Sequence, residues 1–462
     1  MLFGWVPLAI AMFLNLKPHH AVLCIIIGGW LFLPMTTYNL PGIPPYSKNT
    51  AIAIGLIIGG WFSGRGQASL VQWRAYDLPM VVYCLTPVAT SLSNDLGLYN
   101  GISGAFYQFV VWGVPYLAGR TYFRDIENLR DLCIGIIIGG LLYAPLCLYE
   151  VRMSPQLSNI FYGFFPHSFV QHMRYDGFRP IVFMQHGLMV ALWMALTSTV
   201  AYWFWRERKI ERMNVLFVVI LVGVTIICKS VNGWFSLLAG ICFYSIFKRY
   251  RSNFLFFLLL IMIPLYISVR ATDFISADTV KTVAKTFVDE ERVASLGVRL
   301  TQENLFSQKA WERPLLGWGG YLRGWPVDPD TEEKLIKMID STWLITFNTY
   351  GLVGLVSLFV AMLQGPWRTL RLTSHRLNDG AAMVPILLSL IIVLFMIDAL
   401  FNGMVNPIII LSSGAVMSWY LKMKEDLSKR LLLDVHPAVC LSRGRGSKNK
   451  KKSVLDQDRL GD

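Results

Sequence analysis

The chain has 462 residues, of which 54% are hydrophobic and only 15% charged, and a formal net charge of +13. Soluble domains carry about a quarter charged residues, so this composition excludes an ordinary soluble enzyme and points to a membrane protein. Charge is nearly absent from a series of apolar runs, each about the length that crosses a 30 Å hydrocarbon core as helix.

Backbone polar groups in lipid must be satisfied internally, so helices are expected rather than the short alternating segments of a barrel. The runs, in chain order, are Phe3–Leu16, Ala21–Pro34, Thr50–Ser63, Tyr76–Leu92, Gly101–Gly119, Leu132–Tyr149, Ile181–Trp205, Val215–Cys228, Gly233–Phe247, Asn253–Val269, Thr342–Leu363, Ala381–Phe401 and Pro407–Leu421. The first lacks the basic start and small-residue cleavage site of a signal peptide and reads as a spanning helix. The expected fold is all-α, a polytopic bundle of about 12–13 transmembrane helices. The seven cysteines fall almost entirely within the runs, so neither a disulfide framework nor a zinc site is expected from them.

Lys and Arg concentrate in alternate short loops. These hold Arg65 and Arg74; Arg120, Arg124 and Arg130; Arg206, Arg208, Lys209 and Arg212; Lys248, Arg249 and Arg251; and Arg368, Arg371 and Arg376. The tail with Lys448, Lys450, Lys451 and Lys452 belongs to the same set. By the positive-inside rule these loops face the cytoplasm, with the amino terminus outside and the carboxyl terminus inside. The net charge is then a topology signal, and nucleic acid is not an expected partner. The organisation is helices over 1–149, a first outer loop over 150–180, helices over 181–269, a second outer loop over 270–341, helices over 342–421 and a basic tail over 422–462.

Loops this long in a compact protein are usually functional or disordered. The first is rich in aromatic residues, including Phe161, Tyr162, Phe164, Phe165 and Phe169. The second has helical patterning: Val280, Val283, Ala284 and Phe287 share a face, and Leu296, Leu300 and Trp311 are roughly in phase. Asp328-Pro329-Asp330 reads as a turn and helix cap rather than a metal-binding Asp-x-Asp. The glycines Gly317, Gly319 and Gly320 read as a tight turn rather than a phosphate nest, since no nucleotide-loop lysine accompanies them.

Both outer loops hold cations that topology does not require. Arg174 and Arg179 close the first, with His186 just inside the next run and Lys229 in a short outer loop. Arg292 and Arg299, seven apart, share a helix face in the second loop, with Glu303 one turn beyond. Each Arg can snorkel to headgroups or pair with a carboxylate. Together they can instead bind a diphosphate and neutralise the charge that grows on it as a leaving group. Asp340, where the second loop meets the membrane, is either a helix cap or a base. His186 is either a satisfied interior histidine or a rival base.

From about Arg174 to Gly354 the layout resembles the bacterial O-antigen ligase and O-antigen polymerase superfamily of membrane glycosyltransferases. The residues that carry the resemblance are Arg174-x-x-Gly177 with Arg179-Pro180 and His186-Gly187; Lys229-Ser230 with Gly233-Trp234; Arg299 with Trp311 and Pro314-Leu315-Leu316-Gly317-Trp318-Gly319; and Asp340-Ser341-Thr342-Trp343-Leu344 before Tyr350-Gly351-Leu352-Val353-Gly354. Ligases of that family usually carry His where this chain has Asp340, so the departure leans toward a polymerase-like or exopolysaccharide member.

The resemblance implies transfer of a glycan from a polyprenyl-diphosphate carrier to a glycan or lipid acceptor hydroxyl, at the outer face of a bacterial cytoplasmic membrane and without a metal or cofactor. Arg174, Arg179, Lys229 and Arg292 would bind substrate. Arg299, Asp340 and His186 would be catalytic. Membrane lipids and other polysaccharide-assembly membrane proteins would be partners. The alternative is a transporter or flippase for an anionic lipid-linked glycan, which should carry ionisable residues deep within several helices. Asp398 is the main such residue here.

Overall fold

A computed structural model describes residues 1–39, 44–63, 73–166, 169–174, 177–208, 214–250, 252–275, 279, 282, 290–320, 322–327, 334, 339–373 and 382–435. A helix lies on every apolar run named above. They are α1 (Leu2–Asn15), α2 (Pro18–Phe32, with a π-helical segment Cys24–Gly28), α3 (Lys48–Phe62) and α4 (Leu78–Ser93). Next come α5 (Leu98–Gln108), joined through a π-helical Phe109–Gly113 to α6 (Val114–Tyr122), then α7 (Ile126–Met153) and the short loop helix α8 (Leu157–Tyr162). The remainder are α9 (Gly187–Arg206), α10 (Val215–Ile227), α11 (Val231–Tyr250), α12 (Phe254–Ala271), the loop helix α13 (Glu290–Trp311), α14 (Thr342–Thr373), α15 (Met383–Asp398) and α16 (Pro407–Val435). By length and composition four of them, α7, α9, α12 and α14, can each cross a membrane.

The centre of the bundle is α9, apolar all round and buried on nearly every side, packed against α7, α10, α11 and α15. An all-round apolar helix is the one expected in a core. Trp193 and Trp203 are fully buried along it. Small residues allow the closest backbone approach between helices. The tightest case pairs α6 with α16, where a Cβ on Gly119 or Gly414 would overlap the carbonyl oxygen of Leu411 or Tyr116. Ser418 then donates to Arg120 O at 2.8 Å.

Three elements depart from the predicted boundaries, each for a visible reason. The helix expected from Ile181 begins at Gly187, because Glu150 takes the N–H groups of Ile181 and Val182, both at 2.7 Å, and holds them in a turn. The last helix runs past the apolar run to Val435, since Glu425 pairs with Arg74 at 3.0 Å and Arg124 at 2.8 Å, and Lys422 pairs with Asp125. Arg270 belongs to the last turn of α12 rather than to the loop, buried against Glu303 at 2.9 Å.

Helix α14 is broken at Gly351, whose φ of 65° and ψ of −165° are non-helical. The Pro314–Gly320 turn occupies the break. Leu352 N donates to Pro314 O at 2.7 Å and Val353 N to Leu315 O at 3.2 Å, while Trp318 N and Gly319 N donate to Asn348 O and Thr349 O. Irregular backbone inside an apolar helix survives only where its polar groups find such partners. Gly317, with φ +67°, sits so close to Thr349 and Gly351 that a side chain would overlap their backbone.

Candidate functional site

The end of the first long loop is a compact polar cluster. A short hairpin pairs Met173 with Phe178 and Arg174 with Gly177. Arg179 N then donates to His172 O at 2.8 Å. The Arg179 side chain is buried and donates to Lys229 O at 2.6 Å. Gly177 stands against Lys229, where an added Cβ would meet Nζ at 2.5 Å. The His172 and His186 rings are tilted at 49° to each other with centroids 5.3 Å apart. So Arg179, Lys229 and His186 are brought together, with the Arg174 backbone across the hairpin.

Buried charge holds this cluster in place. Glu150, on the last turns of α7, accepts from Leu157 N at 2.9 Å as well as from Ile181 and Val182. Val182 adopts φ 52°, a strained choice for a β-branched residue. Lys48 is buried below the same turn and donates to Trp30 O at 3.0 Å and Phe183 O at 3.4 Å. Lys229 also lies in the left-handed region, at φ 50°, one residue past the C-cap of α10. Glycine is the usual residue there, and a side chain costs roughly 1–2 kcal/mol.

His186 caps α9, its Nδ1 accepting from Leu188 N at 3.1 Å. With Nδ1 accepting, the neutral ring carries its proton on Nε2.

The turn after α15 joins this cluster to the second loop. Asp398 accepts from Asn232 Nδ2 at 3.2 Å and Asn402 Nδ2 at 2.8 Å. Asn232 follows Lys229 by three residues, at the start of α11. Thr342 N donates to Ala399 O at 3.0 Å and its hydroxyl to Asn402 O at 2.9 Å. Phe401 stacks edge-on against Tyr266 at 5.3 Å, and Tyr266 donates to Glu303 at 3.0 Å. The turn over 398–403 therefore touches the elements bearing Lys229 and Asp340, and reaches the one bearing Arg299 through Tyr266 of α12.

Asp340 is exposed and makes no capping bond, since the first N–H of α14 goes to Ala399. Beside it, Ser341 Oγ and Trp343 Nε1 are buried with no hydrogen-bond partner among the described residues. Orphaned polar atoms in a fold are rare and mark sites that a ligand or water completes. Arg299 is exposed one turn before Glu303, whose ion pair with Arg270 fixes the helix. Among the described residues Arg299 and Asp340 make no hydrogen bond or ion pair with each other or with Arg179. Arg292 lies on the same helix, but its side chain and that of Arg174 fall outside the described residues, as do Asp328, Asp330 and the predicted face of Val280, Val283, Ala284 and Phe287.

The glycine turn is not an anion nest. The N–H groups of Gly317, Trp318 and Gly319 are spent on Arg313 O, Asn348 O and Thr349 O. Trp318 is itself covered by Lys309 Nζ at 4.3 Å and the Arg313 guanidinium at 4.8 Å from its ring centroid.

An apolar groove of about 580 Å³ runs between α12 and α14, lined by Leu260, Pro264, Leu355, Val356, Phe359 and Trp367 among others. Leu352 to Trp367 spans about 22 Å of helix. Trp311, the last residue of the helix that carries Arg299, forms one end of the groove and donates to Ala271 O at 2.6 Å. Sequence reasoning missed the groove, Glu150, Lys48, Asn232 and Asn402. Glu150 and Lys48 sit at the ends of apolar runs, and that position was the one available signal.

No protein-family model matches the chain, and no curated protein matches it.

Proposed function

We propose that this protein is a membrane glycosyltransferase that moves a glycan from a polyprenyl-diphosphate carrier to an acceptor hydroxyl. The observation that carries the reading is the apolar groove ending at Trp311, beside a helix that presents an uncommitted arginine. A long isoprenoid tail matches a narrow apolar groove, and a diphosphate matches the arginine that lies twelve residues up the same helix from Trp311, about 18 Å along its axis. The basic loops face the cytoplasm and both long loops face outward, with about thirteen helices crossing the membrane.

The acceptor oxygen attacks the anomeric carbon, and its proton passes to the Asp340 carboxylate. The bond from that carbon to the diphosphate oxygen breaks, and the electron pair leaves with the diphosphate. Arg299, Arg179 and Lys229 neutralise the growing charge, with Arg174 and Arg292 as the further substrate-binding residues. His186, a donor in its capped tautomer, belongs with substrate positioning, which leaves Asp340 as the base. No metal enters this scheme.

The test is transfer by purified protein from a lipid-linked donor. Arg299→Lys keeps the charge but loses the planar fork, and Asp340→Asn removes the base. Each is expected to lower the rate by about 10²–10³ while protein in the membrane stays at wild-type level. Normal product from both variants would refute the assignment. Loss of donor movement across the membrane in Asp340→Asn, with no transfer activity in the wild type, would make the protein a transporter.

A further inference from the structure

The far end of the bundle holds a second convergent group that the proposed chemistry leaves unused. His19 and His20 open α2 directly after Pro18, and Asp131 lies near the start of α7. His19 Nε2 and His20 Nε2 are each 3.1 Å from the same Asp131 Oδ2. The three possible ligand atoms all lie within 4.8 Å of one another. Tetrahedral zinc, with bonds of about 2.0–2.1 Å, sets its ligands about 3.3 Å apart, so the carboxylate oxygen already stands at ligand spacing from both ring nitrogens. The two rings are tilted against each other with centroids 4.2 Å apart. Both Nε2 atoms converge on the same carboxylate oxygen.

We infer that His19, His20 and Asp131 form a binding site for a divalent first-row transition ion, zinc above all. Two imidazoles and one carboxylate suit zinc and its neighbours. Magnesium and calcium want oxygen ligands throughout. All three residues are partly exposed, which leaves a fourth position for water.

The site joins the start of α2 to α7, two elements that among the described residues are otherwise tied here by packing. Asp131 and Glu150 stand nineteen residues apart on α7, about 28 Å along a helix. The ion is therefore structural and remote from glycan transfer. This inference does not depend on the function proposed above.

The experiment uses tag-free protein in detergent, stripped with EDTA, desalted and titrated with zinc sulfate by calorimetry in excess magnesium. The expected result is saturable binding of about one zinc per chain, with an unfolding midpoint raised by several degrees. Two variants identify the ligands. His20→Gln keeps an amide donor for the Asp131 hydrogen bond but lacks the imidazole lone pair, and Asp131→Asn removes the charge. Both are expected to weaken zinc binding at least about tenfold. His20 is well exposed, so its variant should match the wild-type midpoint without zinc. Absence of saturable zinc binding by the wild type overturns the site. So does undiminished binding by His20→Gln and Asp131→Asn, which would assign the zinc to other residues.

Discussion

The two long loops hold their cations in opposite ways. At the end of the first, Arg179 is buried against the backbone of the half-buried Lys229 from the short loop after α10, and the turn beneath is wired to Glu150 and Lys48. In the second, the anchors are buried and the groups proposed to react are not. Arg270 with Glu303 and Gly317 with Gly351 fix the loop, while Arg299 and Asp340 stay exposed without partners among the described residues. A buried, bonded cation defines the shape of a site and is costly to disturb. An exposed, uncommitted one on a fixed helix is available to a ligand at little cost in stability. Substitutions in the first loop should therefore be read in protein level, and those in the second in rate.

The largest expected effect tests the first half of that contrast. Glu150→Ala removes the acceptor of three backbone N–H groups in a buried turn. At about 1–3 kcal/mol for each group left unsatisfied, the loss is on the order of 3–9 kcal/mol. The expected readout is a collapse of protein level in the membrane and a lower unfolding midpoint. Normal level with a normal midpoint would dissolve the contrast. Against it stand Arg299→Lys and Asp340→Asn, for which the contrast requires a lost rate at an unchanged midpoint.

A smaller effect sharpens the role of the groove. Val356 lines it and is largely exposed, so Val356→Trp narrows the channel without disturbing the core. The KM for a long-chain polyprenyl donor should rise about tenfold, equivalent to ~1.4 kcal/mol, while a short-chain analogue is used as before. Equal effects on both donors would remove the groove from the reaction.

Orientation is read without an energy. Thr301, exposed on α13, and Glu127, exposed at the start of α7, lie at opposite ends of the proposed bundle. Introduced one at a time as cysteines in intact cells, the Thr301→Cys protein should react with an impermeant maleimide and the Glu127→Cys protein should not. Equal reactivity would overturn the topology. The smallest effect is the null one: with EDTA in excess the initial rate of transfer should change by less than about twofold, because the cations around the diphosphate are side chains. A rate restored only by magnesium or manganese would replace the scheme with metal-assisted transfer.

Much of the architecture was legible in the residues alone. Apolar runs of helical length placed a helix at every one of the thirteen positions, because a chain this poor in charge has few other ways to satisfy its backbone. The pairing of Arg292 and Arg299 on one helix followed from spacing, and the turn at Pro314–Gly320 from its glycines. The partners of these elements were not legible, because each depends on contacts between residues far apart in the chain. Glu150 reaches Ile181 and Val182, and Asp398 gathers Asn232 and Asn402. Pro314 and Leu315 complete the broken helix at Gly351, and His19 and His20 find Asp131 more than a hundred residues away. Local composition sets whether a segment is helix. Which buried polar group meets which is decided only when the packed helices leave each of them one reachable partner.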